Sequence, residues 1–313
     1  MSYLRPNRPG TSVTEFFERF PDDRACLEHI FNVRWGDHTP CPKCGNFGPW
    51  FKLGNVRKVQ HKCRGRTSIL ESTVLYRSNL PLMAWFYAML LMSNSSIGVR
   101  STFLRKQLGL GVKSAVRLSR LIRLHMATMK RPASLGGVGK MVYVDEAHVP
   151  YVAARIGGAR RRAPLMVMGF ACDGEVISGI IGDRSSKTIV SAIERYVDPG
   201  SIIVSDAHAS YRGLSRRGWD HIVVNHAVAF HDFKGNTIND IETYWRVLKR
   251  SLSGHIFVNS ENFWLYLAEV ECRYNRRRAT SSLFDLMIQH FPAVGPSERS
   301  ALERCYDWRL DSA

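Results

Sequence analysis

The order of apolar and polar positions divides the chain into three stretches. Residues 14–20 and 25–31 read as short helices, and Asp22 and Asp23 stand where an N-cap belongs before the second. From Leu80 the positions Leu80, Leu82, Trp85, Phe86, Met89, Leu90 and Met92 build an apolar helical face. Residues 95–108, the turn Gly109-Leu110-Gly111 and residues 114–124 then predict a helix-turn-helix pattern. After a loop holding Gly136, Gly137 and Gly139, the pattern changes to strands. One is predicted over 140–144, ending in Asp145-Glu146, and others over 165–172 and 176–181. The Asp173-Gly174 turn joins the last two, so the three form an antiparallel meander. A helix over 187–196, capped by Ser185 or Ser186, precedes strands over 201–206 and 221–226 and a helix over 238–252. The fold class expected is α/β.

Composition narrows the function. The 313 residues are 45% hydrophobic and 23% charged, which excludes general disorder. No apolar run approaches the ~18 residues of a membrane helix, and residues 1–10 hold no hydrophobic core of a secretion signal. The expectation is a cytoplasmic, nucleoid-associated protein without a membrane partner. Seven cysteines, an odd number, favour thiols or metal ligands over a disulfide framework. Lys plus Arg is 44 against 27 Asp plus Glu, a net charge of +17. Nucleic acid is the polyanion such an excess fits best, although anionic membranes and acidic proteins carry the same sign.

Two motifs carry metal chemistry. Cys41-Pro-Lys-Cys44-Gly45 forms a knuckle in which two thiolates face one Zn²⁺. A zinc ribbon needs a second pair roughly 15–20 residues on, where the chain reads His61-Lys62-Cys63-Arg64-Gly65-Arg66. Cys63 is placed as the third ligand. Arg66 stands where a fourth Cys is expected, and His61 is the alternative at a cramped spacing of one. Bound zinc and a ribbon held by its core alone both stay open. The second motif is made of acids: Asp145 and Asp206 end strands, and Glu242 lies in a helix, at spacings of 61 and 36 residues. Carboxylates at strand ends sit where α/β folds bind ligands, and three of them suit a pair of Mg²⁺ ions that assist displacement at phosphorus.

Basic groups surround these motifs. Lys113, Arg117, Arg120 and Arg123 mark a DNA-facing side of the second helix of the helix-turn-helix, with Val116, Leu118, Leu121 and Ile122 inward. Arg155, Arg160, Arg161 and Arg162 flank Gly157-Gly158 in a loop suited to gripping phosphates. Glu146 alternates to the opposite side of the strand from Asp145. His148, His208, His226 and His231 are read as structural rather than as proton shuttles, Trp245 as core, and Tyr211 is not a recombinase nucleophile.

Residues 140–278 resemble the catalytic domain of bacterial insertion-sequence transposases of the DDE class that join a zinc ribbon to a ribonuclease-H-like core. The resemblance rests on Val142-Tyr-Val-Asp145-Glu146, Ile203-Val-Ser-Asp206-Ala-His-Ala-Ser-Tyr211-Arg212, Asn239-Asp-Ile-Glu242-Thr-Tyr-Trp245-Arg-Val-Leu-Lys249-Arg250, and the closing run with Arg273-Tyr274-Asn275-Arg276-Arg277. It implies a ribonuclease-H-like mixed sheet flanked by helices, with Asp145, Asp206 and Glu242 as ligands of Mg²⁺ (or Mn²⁺). It implies Lys249, two turns past Glu242 on the same face, as a DNA contact near the scissile phosphate, beside Arg250. Asn239, one turn before Glu242, is expected to assist at the metal or hold the helix. The domains expected are a zinc-ribbon-like module over 1–75, a helix-turn-helix-like region over 76–135, the catalytic domain over 136–291 and a helical tail over 292–313. The activity implied is cleavage of the element's ends and their joining to target DNA by a homodimer or higher oligomer on double-stranded DNA. Two rivals are a transposase-derived DNA-binding regulator and a ribonuclease-H-type nuclease.

Overall fold

In a computed structural model describing residues 10–54, 56–150, 152–156, 159–162, 164–224, 239–255 and 258–311, the chain divides into two units. Met1–Met129 with Arg278–Ser300 form one, and Lys130–Arg277 with Ala301–Ala313 form the other.

In the first unit, α1 (Val13–Arg19) and α2 (Asp23–Arg34) begin at Ser12 and Asp22, whose side chains accept from Glu15 N and Ala25 N. Asp23 caps a different helix. Its carboxylate accepts from Leu82 N at 3.0 Å and Met83 N at 2.9 Å, closing α3 (Leu82–Asn94), whose own N-cap Pro81 makes no side-chain cap bond. Between α2 and α3 lie β1 (Trp50–Lys52), β2 (Lys58–His61) and β3 (Arg66–Ser68), an antiparallel ribbon in that order. The helix-turn-helix is α4 (Ser101–Leu108) and α5 (Val112–Ala127), with Gly109 at φ +61° closing α4. Its first helix starts at Ser101 rather than at 95, because Gly98 at φ +77° and an extended Arg100 keep the preceding residues out of it.

The second unit holds β4 (Leu135–Gly136), β5 (Met141–Val149), β6 (Val152–Ile156), β7 (Ala159–Arg162), β8 (Leu165–Cys172) and β9 (Glu175–Ile181). Then follow α6 (Ser186–Tyr196), β10 (Val197–Asp198), β11 (Ile202–Ser205), β12 (Asp220–Val223), α7 (Asn239–Ser253), β13 (Val258–Asn259) and α8 (Phe263–Asn275). The main sheet has the order β12-β11-β5-β8-β9. Asp173 and Gly174, both at positive φ, turn β8 back into β9, and β5, β8 and β9 run antiparallel as the alternation predicts. The chain then crosses by α6 and returns as β11 parallel to β5, with β12 parallel to β11. This mixed sheet flanked by helices is the ribonuclease-H-like architecture expected. One face buries Val142, Val144, Phe170, Ile177, Ile189, Ile193 and Ile203. On the other, Gly169 lets α7 come close: a Cβ there would stand 2.8 Å from both Ile241 and Trp245.

The chain returns to the first unit as α9 (Leu283–Ile288). Two histidine rings, half-buried His29 and buried His125, serve its last carbonyls: His29 Nε2 lies 3.0 Å from Ile288 O and His125 Nε2 2.9 Å from Met287 O. After α10 (Pro296–Tyr306), Trp308 enters the core of the second unit, stacked on Tyr196 at 4.5 Å between centroids. Gly179 makes that possible, since a Cβ there would overlap the indole at 2.0 Å.

Candidate metal centres and nucleic-acid interface

The ribbon brings four ligand atoms together. Cys41, Cys44, His61 and Cys63 offer atoms that all lie within 4.8 Å of one another. Two turns set this up. In the first, Gly45 N donates to Cys41 O at 2.8 Å and Gly45 takes φ +71°. In the second, Arg64 N donates to His61 O at 2.8 Å, and Arg64 itself adopts φ +63°. The first is closed outside by Cys41 N on Asn46 O and the second by His61 N on Gly65 O, so the second turn is one residue shorter. That shortening makes the His-x-Cys spacing workable, and it corrects the reading of Arg66 as the fourth position. Arg66 is exposed on β3 and donates through Nε to Gln60 Oε1 at 2.8 Å.

The donor set fits Zn²⁺. Cys41 Sγ and Cys63 Sγ are 3.6 Å apart, as are Cys44 Sγ and His61 Nδ1. A tetrahedron with Zn–S near 2.3 Å has edges of about 3.7 Å. His61 is fully buried and turns its Nδ1 to Cys44, and among the described residues its Nε2 has no hydrogen-bond partner. Gly65 backs the quartet; a Cβ there would sit 3.2 Å from the sulfurs of both Cys41 and Cys63.

The carboxylates are positioned by the sheet. In the parallel pair, Val204 lies opposite Tyr143, so Asp206, two residues on, stands level with Asp145 on the neighbouring strand. Burial, helped by the charges of Glu146 and Asp206, pushes the Asp145 carboxyl up to about 6, against hydrogen bonds that favour its ionised form. One of these comes from Trp245 Nε1, which donates to Asp145 Oδ2 at 2.9 Å. Trp245 is thus core, as expected, and also holds the acid. Buried indole N–H groups usually find a partner, and that was the signal in the sequence for this bond. Glu242, half-buried, lies on α7 one turn before Trp245. Asp206 Oδ1 accepts from His208 N at 3.0 Å, fixing the turn after β11. Among the described residues the ribbon quartet is the group whose ligand atoms come within 4.8 Å; the three acids are not drawn that close.

Glu146 turns away from Asp145 into a separate ion pair, its own carboxylate buried, accepting from half-buried Arg184 at 2.7 Å and from the Tyr211 hydroxyl. Burial first, then the Glu146 charge, drives the Tyr211 hydroxyl far above its ordinary pKa. Nothing in the sequence pattern pointed to Arg184. His148 is exposed on β5, and His208 Nδ1 bonds the Ser210 hydroxyl. His226, His231 and the side chains of Asn239, Arg155, Arg160, Arg161 and Arg162 lie outside the described residues, although the backbones of β6 and β7 pair as a hairpin.

Lys249 and Arg250 are exposed on α7, with Arg246, which sequence reading passed over, exposed between Glu242 and Lys249 on one stripe. On α5, Lys113, Arg117 and Arg120 are exposed. Arg123 corrects the expectation: it is fully buried, donating to Ser119 O at 3.2 Å and to Val99 O at 3.3 Å. It braces the segment before α4 instead of facing solvent, and a guanidinium so enclosed does not reach DNA. Among the described residues no helix is long and apolar enough to cross a membrane.

Comparison with known proteins follows the same division. The family model for the ISXO2-like transposase domain matches residues 135–275, and that for the transposase zinc-ribbon domain matches residues 21–65. An uncharacterized transposase-like protein of Haemophilus influenzae is 31% identical over 109 residues, covering 35% of this chain and 88% of that protein. A chain in the cryo-EM structure of the simian T-cell lymphotropic virus intasome in complex with PP2A regulatory subunit B56 gamma aligns at 11% identity. That alignment covers 63% of this chain and 73% of the other, with a TM-score of 0.28, too low to bear on the fold. With both domains matched in order and a relative covered over most of its length, the chain belongs to the insertion-sequence transposases of the ISXO2-like type that carry an N-terminal zinc ribbon.

Proposed function

We propose that this transposase cleaves the ends of its own element and joins the freed 3′-OH to target DNA, using Asp145, Asp206 and Glu242 as the metal-holding acids. The observation that supports this most is the register of β11 against β5, which sets Asp206 level with Asp145, while Trp245 ties Asp145 to the helix of Glu242. Three carboxylates are hard oxygen donors and match Mg²⁺ or Mn²⁺. Bound there, the ions would polarise the scissile phosphate and lower the pKa of the attacking water or 3′-OH. The chain's own part is positioning. Trp245 fixes the Asp145 carboxylate, the Asp206–His208 turn fixes Asp206, and Arg246, Lys249 and Arg250 offer cations to the phosphates next to the cleaved bond. Asn239 would assist at the metal or hold the helix, and Arg160, Arg161 and Arg162 would grip phosphates.

Cys41, Cys44, His61 and Cys63 would hold Zn²⁺ as a structural ion, and the ribbon with Lys113, Arg117 and Arg120 of α5 would bind the terminal repeats. Two or more copies would assemble on paired ends. The test is strand transfer with Mg²⁺ on a duplex carrying the element's end. Asp206→Asn is expected to lower cleavage by roughly 10³-fold or more while leaving end binding within about twofold. Unchanged cleavage removes Asp206 from the site. Nicked products that are never joined favour the nuclease, and binding without cleavage by the wild-type chain favours the regulator.

A further inference from the structure

We propose that the outer face of β2 and β3, the turn around Arg77 and the start of α5 form one continuous track for the phosphate backbone of double-stranded DNA. Arg77 is the link between ribbon and helix. The proposal rests on the DNA-processing reading above and deepens it by assigning Lys58, Arg66 and Arg77, which that reading does not name.

The strand register builds the first part. Lys58 pairs with Ser68 and Gln60 with Arg66, so these four share a face, while Val59 and His61 alternate inward and are fully buried. The outer face floors a groove of about 570 Å³, whose rim carries Lys58, Arg66 and Arg77. A second hollow of about 170 Å³ adjoins it, lined by Arg77, Ser78, Ser114 and Arg117. Arg77 and Ser78 border both, which makes the two depressions one path from the ribbon to α5, where Lys113 and Arg120 are also exposed.

Charge identifies the occupant. Lys58, Arg66, Arg77 and Arg117 face the path with one acid, Glu71, among the lining residues. Arg66 is bonded at Nε alone among the described residues, which leaves the guanidinium fork for an anion. Arg57 also borders the groove but serves the fold. It donates to Ser78 O and Leu80 O and pairs with Asp23, bracing the turn from behind. Arg77 is exposed with its guanidinium 5.2 Å from the Tyr76 ring centroid. Its φ of +55° lies in a region that non-glycine residues avoid. A strained backbone that presents a solvent-facing cation at the junction of two grooves is the pattern of a functional position. Both depressions are open and meet at Arg77 and Ser78, so a polyanion suits the path better than a small phosphate.

Fluorescence anisotropy with a labelled duplex of about 30 base pairs over a salt series tests this. The variant is Arg66→Ala with Arg77→Asn, because Asn tolerates positive φ. Its charge-matched control is Arg299→Ala with Arg304→Ala, two exposed arginines elsewhere. The track variant is expected to raise Kd about tenfold or more and to reduce the slope of log K against log salt by about two, with the control changing Kd less than about twofold. Lys58→Glu, at an exposed strand position where folding is not at stake, repeats the effect in a single substitution. Wild-type Kd and slope in both track variants overturn the proposal. An equal loss in the control overturns it too, since net charge would then account for binding. If the wild-type chain does not bind duplex at all but retains an acidic protein, the DNA-processing reading itself fails. The two failures are therefore distinguishable.

Discussion

The ribbon and the sheet each gather candidate ligand groups, and they do so by different means. In the ribbon, four donors come from two hydrogen-bonded turns within 23 residues of chain, Cys41 to Cys63, and they converge to within 4.8 Å. In the sheet, Asp145, Asp206 and Glu242 come from two strands and a helix spread over 98 residues, and register and one indole bond align them. Turn geometry is local and cheap to specify. Register is the sum of many distant contacts, and like-charged carboxylates also repel one another, so the sheet holds its acids level without drawing them together.

The strongest way to break this contrast is to take away the metal proposed for the ribbon. Structural zinc contributes on the order of 10 kcal/mol in small modules. A strong chelator, or Cys44→Ser, is therefore expected to open residues 41–65 to protease while the sheet of the second unit stays protected. Peptide mapping reads this directly. An unchanged digest would show that the ribbon stands on its core alone and that its convergent donors are incidental.

Next in size is Gly169→Ala. The added methyl meets Ile241 and Trp245 at 2.8 Å, so it should lift α7 from the sheet at about 1–3 kcal/mol and lower both Tm and cleavage. An unshifted Tm would mean α7 is not seated as described. The third prediction compares two buried histidines. His61 faces thiols, whereas burial lowers His125 to about 4, against its opposing bond to Met287 O. The unfolded chain takes up a proton near 6.5 and the folded one does not until about 4. Stability is thus fully present above 6.5 and is lost as pH falls between those values, by about 2 kcal/mol from pH 7 to pH 5. Thermal melts of His125→Gln should lack that slope.

The smallest effect expected is that of Trp245→Phe, which keeps an aromatic side chain but deletes the donor to Asp145. About 1 kcal/mol of stability and roughly tenfold in cleavage should be lost, with duplex affinity unchanged. Equal cleavage by the variant would leave Asp145 positioned by the strand alone.

Much of this was legible in the chain. The alternation over β8 and β9, the caps at Asp22 and Ser185, and the acids ending two strands follow from period and residue type. Arg123 departs from the expectation because it shares a helix with Lys113, Arg117 and Arg120, and part of a turn of rotation separates solvent from core. Arg184 carried no pattern at all; its partner Glu146 lies 38 residues away. Asp23 looked like part of an α2 cap and proved to close α3, 60 positions along the chain.

The sequence alone determined what depends on neighbours within a few residues: the helices and strands, the first knuckle, the sign of the charge and the acidic motif. Tertiary structure decided which turn closes the quartet, which arginines face water and which acid pairs with which donor. Those outcomes hinge on packing between distant segments, where a shift of one residue or a part-turn of a helix exchanges inside for outside.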